Sequence, residues 1–243
     1  METKEVTGSL KDRTIYIPRM SNSAAEALAA TFRSIGFKAL PSPCSDGTTL
    51  ELGAKYISGD ECYPEKITLG DFMKLLEIDK LDPQTVTFLM PTADGPCRFG
   101  QYAPFLKKVL RERGFEKANI LSLTSENGYD GLGSRASEFT RTVWRGILCT
   151  DILRKLLLKT RPYEKNKGDS DQAYKEGVAK ICGVLETQDI SHKERMKRLI
   201  SVMTQIRDKF RAIPASYQKD RPLIGVVGEI FCRLNTFSNE DLI

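Results

Sequence analysis

A chain of 243 residues, 40% of them hydrophobic, can bury one large core, with or without an appendage. No apolar run approaches the roughly 18 residues of a membrane span, and the stretch METKEVTGSLKDR has no signal-peptide core, so a cytoplasmic protein without a membrane partner is expected. The net charge of +5 comes with a single histidine, His192, which excludes chemistry built on a histidine triad or on several histidine ligands.

RTIYIPRM (Arg13 to Met20) alternates like a strand, and SAAEALAATFRSIGF then reads as an amphipathic helix with Ser23 as N-cap and Gly36 as its stop. FKALPSP is a short second strand. DGTTLELGAKYI predicts a brief helix and YPEKITLGDFMKLLEI a longer one. TVTFLMP (Thr85 to Pro91) reads as a buried strand, RFGQYAPFLKKVLRERGF as the helix after it, and ANILSLTS as a fourth strand beyond Gly114. Alternating strands and helices with short links predict a parallel sheet covered on both faces, an α/β Rossmann-like three-layer sandwich.

From Ser137 to Tyr163 the pattern becomes one long helix, followed by helices over Asp169 to Leu185 and Ser191 to Arg211. RPLIGVVGEIF (Arg221 to Phe231) reads as a last strand returning to the sheet. The expected organisation is therefore an α/β domain over 1–136, a C-terminal helical insertion over 137–215, and a returning strand of the α/β domain over 216–243. The sequence stops soon after that strand, as expected of a fragment, a split subunit or a domain. HKERMKRLISVMTQIRDKFR is basic on one face and apolar on the other. Without stacking aromatics or a reader motif, this is a solvated helix face and no nucleic-acid partner is expected.

Six cysteines without a secretory context point to reduced thiols, metal ligands or redox chemistry in preference to a disulfide framework. Cys149 and Cys182 fall in step with the apolar positions of helices and read as small buried hydrophobes. The other four share one rim in the predicted sheet, where ligands of open parallel sheets bind. Cys44 follows strand two, Cys62 precedes a long helix, Cys97 follows strand three and Cys232 follows the last strand. Cys62 and Cys97 also stand at helix starts, where unpaired N–H groups favour a thiolate, the species that binds metal or attacks. There is no C-x-x-C, so spacing leaves three roles open: an iron–sulfur site, a catalytic or redox thiol, or plain free thiols. Arg98, beside Cys97, suits a thiolate or an anionic cluster. Asp94, Glu61 and Glu229 lie on the same rim, where loop residues and helix caps are the ordinary roles of acids. GLGS (Gly131 to Ser134) lacks the pattern of a nucleotide phosphate loop.

In this order, SGDECYPEKITLGDF, MPTADGPCRFGQY, WRGILCTDILRKLLLKTRPYE and GEIFCRLNTFSNEDLI resemble the C-terminal region of large proteins related to the activator of 2-hydroxyacyl-CoA dehydratase. That region is similar in turn to the dehydratase components and to double-cubane cluster proteins. The resemblance runs from about Arg13 to the end, and GPCRFGQY is its most specific piece. It implies the same Rossmann-like sandwich and an iron–sulfur cluster, [4Fe-4S] or double-cubane, held by cysteines at strand ends. Carried over by motif, the ligands are Cys62 and Cys97, with Cys44 ranked above Cys232 for a third. The ATPase domain of the large relatives and its phosphate loops are missing, so ATP hydrolysis by this chain alone is not expected.

The expectation is therefore an iron–sulfur electron-transfer component, or a reductase or dehydratase-like one. It would take low-potential electrons from a separate ATP-dependent activator, or belong to a larger chain. An acyl-CoA or another small molecule is the implied substrate, and a dimer the implied assembly by analogy. The alternative is a cluster-free scaffold or regulatory domain that docks a partner through the basic helix. A thiol oxidoreductase with Cys97 as nucleophile ranks behind both.

Overall fold

The computed structural model describes residues 10–92, 95–124, 132–217 and 222–243. Strand β1 (Thr14–Ile17) leads into α1 (Asn22–Ser34), and β2 (Lys38–Pro41) into the pair α2 (Gly47–Tyr56) and α3 (Tyr63–Glu77). Then come β3 (Val86–Leu89), α4 (Tyr102–Glu112) and β4 (Asn119–Leu121). The four strands form one parallel sheet in the order β2-β1-β3-β4, with Ile15 opposite both Ala39 and Thr87, and Phe88 opposite Ile120.

The period-two alternation of strands sorts side chains onto two faces. Val86 and Phe88 pack with Phe72 and Met73 of α3 and Leu106 and Leu110 of α4. Ile15, Ile17 and Leu89 point the other way and pack with Ala25, Ala29 and Phe32 of α1. The result is an α/β fold with helices on both faces of a parallel sheet. Since α1 and α4 lie on opposite faces while β1 and β3 are neighbours, the carboxyl ends of those two strands are the switch point of the sheet, the usual ligand position in such folds. Arg13, almost fully buried, closes the opposite end by donating to the carbonyls of Val86 (3.1 Å) and Lys117 (2.9 Å).

The helical portion is α5 (Ala136–Thr160), α6 (Asp169–Leu185) and α7 (His192–Ala212), as the sequence pattern predicts, with a 3₁₀ turn at Arg161–Tyr163 closing α5. It packs on the outer side of α1: Ala27 and Ala30 join Leu153, Ile181, Leu185, Leu199 and Ile206 in a third apolar cluster. The alanine-rich sequence of α1 thus serves two interfaces at once. Close approach also requires Gly146, where a Cβ would come within 2.9 Å of Leu185 and 3.4 Å of Ala27. Among the described residues no helix is long and apolar enough to cross a membrane.

Two expectations are corrected. Ser21, and not Ser23, is the N-cap of α1; Ser23 lies buried in the first turn, and the helix bond from the Ala25 N–H to the Ser21 carbonyl (2.9 Å) sets the start. The strand expected over Arg221 to Phe231 does not form among the described residues. Residues 222–229 have no regular structure, and α8 (Ile230–Leu234) begins directly after them. A strand needs a partner for its backbone groups, and neither sheet edge takes this segment. Its apolar side chains face solvent, Leu223 fully and Val227 at 88%, and Gly228 at φ 123° turns the chain into α8.

Candidate functional site

Cys62 is the N-cap residue of α3, with Pro64 in the first turn, and its carbonyl accepts from the N–H groups of Glu65 (3.1 Å) and Lys66 (3.3 Å). Cys97 caps a 3₁₀ turn, Arg98–Gln101, that runs directly into α4. Both positions match the helix starts read from the sequence. Cys97 is exposed and Cys62 half-buried.

Tyr102, the first residue of α4, reaches across to Cys62. Its hydroxyl lies 2.6 Å from the Cys62 sulfur, and its ring meets Phe99 edge to face at 5.2 Å. Burial, then the Cys62 hydrogen bond and the nearby Cys62, Glu65 and Cys97 charges, push the phenol far up, so Tyr102 keeps its proton. Arg98 donates from Nη1 to the Asp60 carbonyl, tying the Cys97 turn to the loop before Cys62.

Glu65, on the first turn of α3, is buried, and its Oε1 has no hydrogen-bond partner. Burial, helped by the Glu61 charge and opposed by Arg98, pushes its carboxyl up to about 7. A void of about 10 Å³ beside Glu65 and Tyr102 has room for roughly one water. Here, then, are two thiols, a protonated phenol, a guanidinium and an acid that titrates near neutrality. Such a group can hold a soft metal through sulfur or perform thiol chemistry.

Cys44 is placed apart from this pair. It follows β2, is exposed, and its carbonyl accepts from Lys74 Nζ (3.1 Å) in the last turn of α3. Cys62 caps the other end of that helix, and about 18 Å of helix axis separates Cys62 from Lys74 at 1.5 Å per residue. The loop after Cys44 is fixed by a different network: Asp71 accepts from Ser45 and Thr49, both at 2.8 Å, and Asn235 donates to Ser45 (3.2 Å) and to the Arg19 carbonyl (3.0 Å). Cys232 lies in α8, its N–H held by Glu229 at 2.8 Å and its thiol pushed up by burial and by that carboxylate. Glu229 is thus a helix cap, and Glu61 caps its own turn by accepting from the N–H groups of Ser58 and Gly59. Asp94 and Gly131 lie outside the described residues.

Cys149 is buried as expected. Cys182 is half-buried, with burial the main cause raising its thiol to about 11. Among the described residues no three His, Cys, Asp or Glu side chains converge as metal donors. Sequence reasoning singled out neither Glu65 nor Tyr102, though both stand inside the quoted motifs. Their signal was position: Glu65 is three residues after Cys62, Tyr102 five after Cys97, and each falls on the first turn of its helix.

No family model, curated protein or solved structure matches this chain.

Proposed function

We propose that this Rossmann-like protein is an iron–sulfur electron-transfer component, or a reductase or dehydratase-like one, related to 2-hydroxyacyl-CoA dehydratases and supplied with electrons by a separate ATP-dependent activator. What supports the reading is that Tyr102 bonds the Cys62 sulfur and lies within reach of the Cys97 charge, these being the two cysteines of the most specific motifs. The residues present fit two ligands of a cluster, Cys62 and Cys97; Cys44, the third in the carried-over set, stands with the far end of α3. A cluster held there would supply one-electron chemistry at low potential. Around it, Tyr102 offers a hydroxyl to sulfur, Arg98 brings positive charge beside Cys97, and Phe99 with Tyr102 keeps one side apolar.

Iron and acid-labile sulfide, measured on protein purified without oxygen, test the reading. About four of each per chain are expected for one [4Fe-4S] cluster, lost on Cys62→Ala or Cys97→Ala. A Cys97→Ala protein that keeps its iron and its visible absorbance overturns the assignment. The second reading, a cluster-free scaffold or regulatory domain, is favoured by the position of Cys44 and predicts a folded, colourless protein that resists reconstitution.

A further inference from the structure

A groove between α5 and α7 has a lining of one character. Leu148, Ile152, Met196 and Ile200 form its exposed walls, and Leu199 and Cys149 lie buried at its floor. The cavity measures about 440 Å³ and runs on, past Arg145, Met196 and Ile200, into a second of about 530 Å³. Helices α5 and α7 lie against α6 and run side by side, with Arg145 Nη1, in the third turn of α5, donating to the carbonyl of His192, the first residue of α7 (3.0 Å). Helix α1 covers the other side of α5 and α6, and the α5–α7 side is left open.

The charged groups that line the groove are all basic: Arg145, Lys193, Lys197 and Arg207. Glu194 is turned to Arg198, and Asp208 balances Arg207, so the positive charge at the groove comes from Arg145, Lys193 and Lys197. We infer that this groove docks an amphipathic helix of another protein, apolar on one face and acidic on both flanks, which covers the open α5–α7 side. From Arg145 to Leu156 the wall is about 17 Å long, some three helical turns. A second copy presenting the same groove would set lysine and arginine against lysine and arginine, which like-charge repulsion opposes. A bilayer would need a convex apolar face; here the apolar residues stand on two walls of a cleft with a buried floor. The inference is independent of the cysteine pair and holds with or without a cluster.

The chain's one tryptophan, Trp144, shares the exposed α5 stripe with Leu148 and Ile152 and reports on the groove. The probe is a synthetic helical peptide of about 18 residues with leucines at i, i+3, i+4 and i+7 and glutamates on the flanks, compared with the same leucines flanked by lysines. The glutamate peptide is expected to shift Trp144 emission to the blue, to bind about tenfold or more tightly than the lysine peptide, and to weaken with added salt. Ile200→Glu should abolish that binding and leave the circular dichroism unchanged, because Ile200 is already 56% exposed. Equal binding of both peptides, or of neither, overturns the inference. So does self-association that Ile200→Glu abolishes, which assigns the groove to a second copy, or an Ile200-dependent Trp144 shift on anionic vesicles alone, which assigns it to a lipid surface.

Discussion

The Tyr102 hydroxyl lies 2.6 Å from the Cys62 sulfur and thereby links the start of α4 to the cap of α3. Both elements border the carboxyl end of the sheet, and Tyr102 is 93% buried by the ring and chain around it. Tyr102→Phe keeps the ring and removes the hydroxyl. It is expected to lower stability by about 1 kcal/mol, the typical loss for one buried hydrogen bond, as read from urea denaturation. An unchanged midpoint would mean that sulfur gains nothing from this partner.

Asp71 gives a pH dependence of definite sign. Burial pushes its carboxyl up to about 6, against the hydrogen bonds from Ser45 and Thr49 and the Lys74 charge, with Asp46 adding a small push upward. The folded protein therefore holds this proton more tightly than the unfolded chain, whose carboxyl titrates near 3.8. Stability from this group is present in full below about 3.8 and is lost as pH rises to about 6, by on the order of 3 kcal/mol. Asp71→Asn removes that slope at the cost of one hydroxyl partner, about 1 kcal/mol. Wild type should be the more stable at pH 4 and should lose that advantage by pH 7; parallel stability curves for the two proteins would show that Asp71 does not titrate in this range.

The alternation in TIYI, the buried run VTFL and the apolar spacing of the long helices are local patterns, and the four strands of the sheet and the bounds of α6 were legible from them. What failed depends on distant partners. Leu223 to Val227 has the composition of a buried strand, but composition does not say whether a neighbouring strand accepts it. Glu65 looks like an ordinary first-turn acid of α3; only the packing of α4 against α3 buries it and leaves an oxygen without a partner. Cys44 shares the predicted rim with Cys62 and Cys97, yet the reach of Lys74 and the Asp71 network hold its loop at the other end of α3, a tertiary fact.

Gly53 of α2 and Gly70 of α3 mark the place where these helices cross. A Cβ on Gly70 would run into the Thr49 carbonyl, and one on Gly53 into the Lys66 carbonyl. Backbone cannot rotate away as a side chain can, so Gly70→Ala must push the helices apart. The expected cost is about 3 kcal/mol, despite the better helix propensity of alanine. The same shift should disturb the Thr49 bond to Asp71, so the variant should also lose the pH slope of wild type. A Gly70→Ala protein of normal stability would show that α2 and α3 do not cross this closely.

Arg195 is fully buried in α7, where Nη1 donates to the Val184 (3.0 Å) and Leu185 (2.6 Å) carbonyls at the end of α6. Its Nη2 lies 3.5 Å from Glu138 Oε1 on α5, so one cation ties together the three helices of the additional layer. Glu138→Gln leaves that charge buried without its counter-ion. Breaking a fully buried pair costs roughly 3–5 kcal/mol, and because the Glu138 side chain is 23% exposed, about 2 kcal/mol is expected here. Glu138 also pairs with Arg135 at 2.8 Å, so the two contributions must be separated. In an Arg195→Met background the cost of Glu138→Gln should fall below about 0.5 kcal/mol, since no buried charge is left to strand. If the cost stays the same in both backgrounds, Glu138 stabilises the fold through Arg135, and the buried arginine is held by the α6 carbonyls alone.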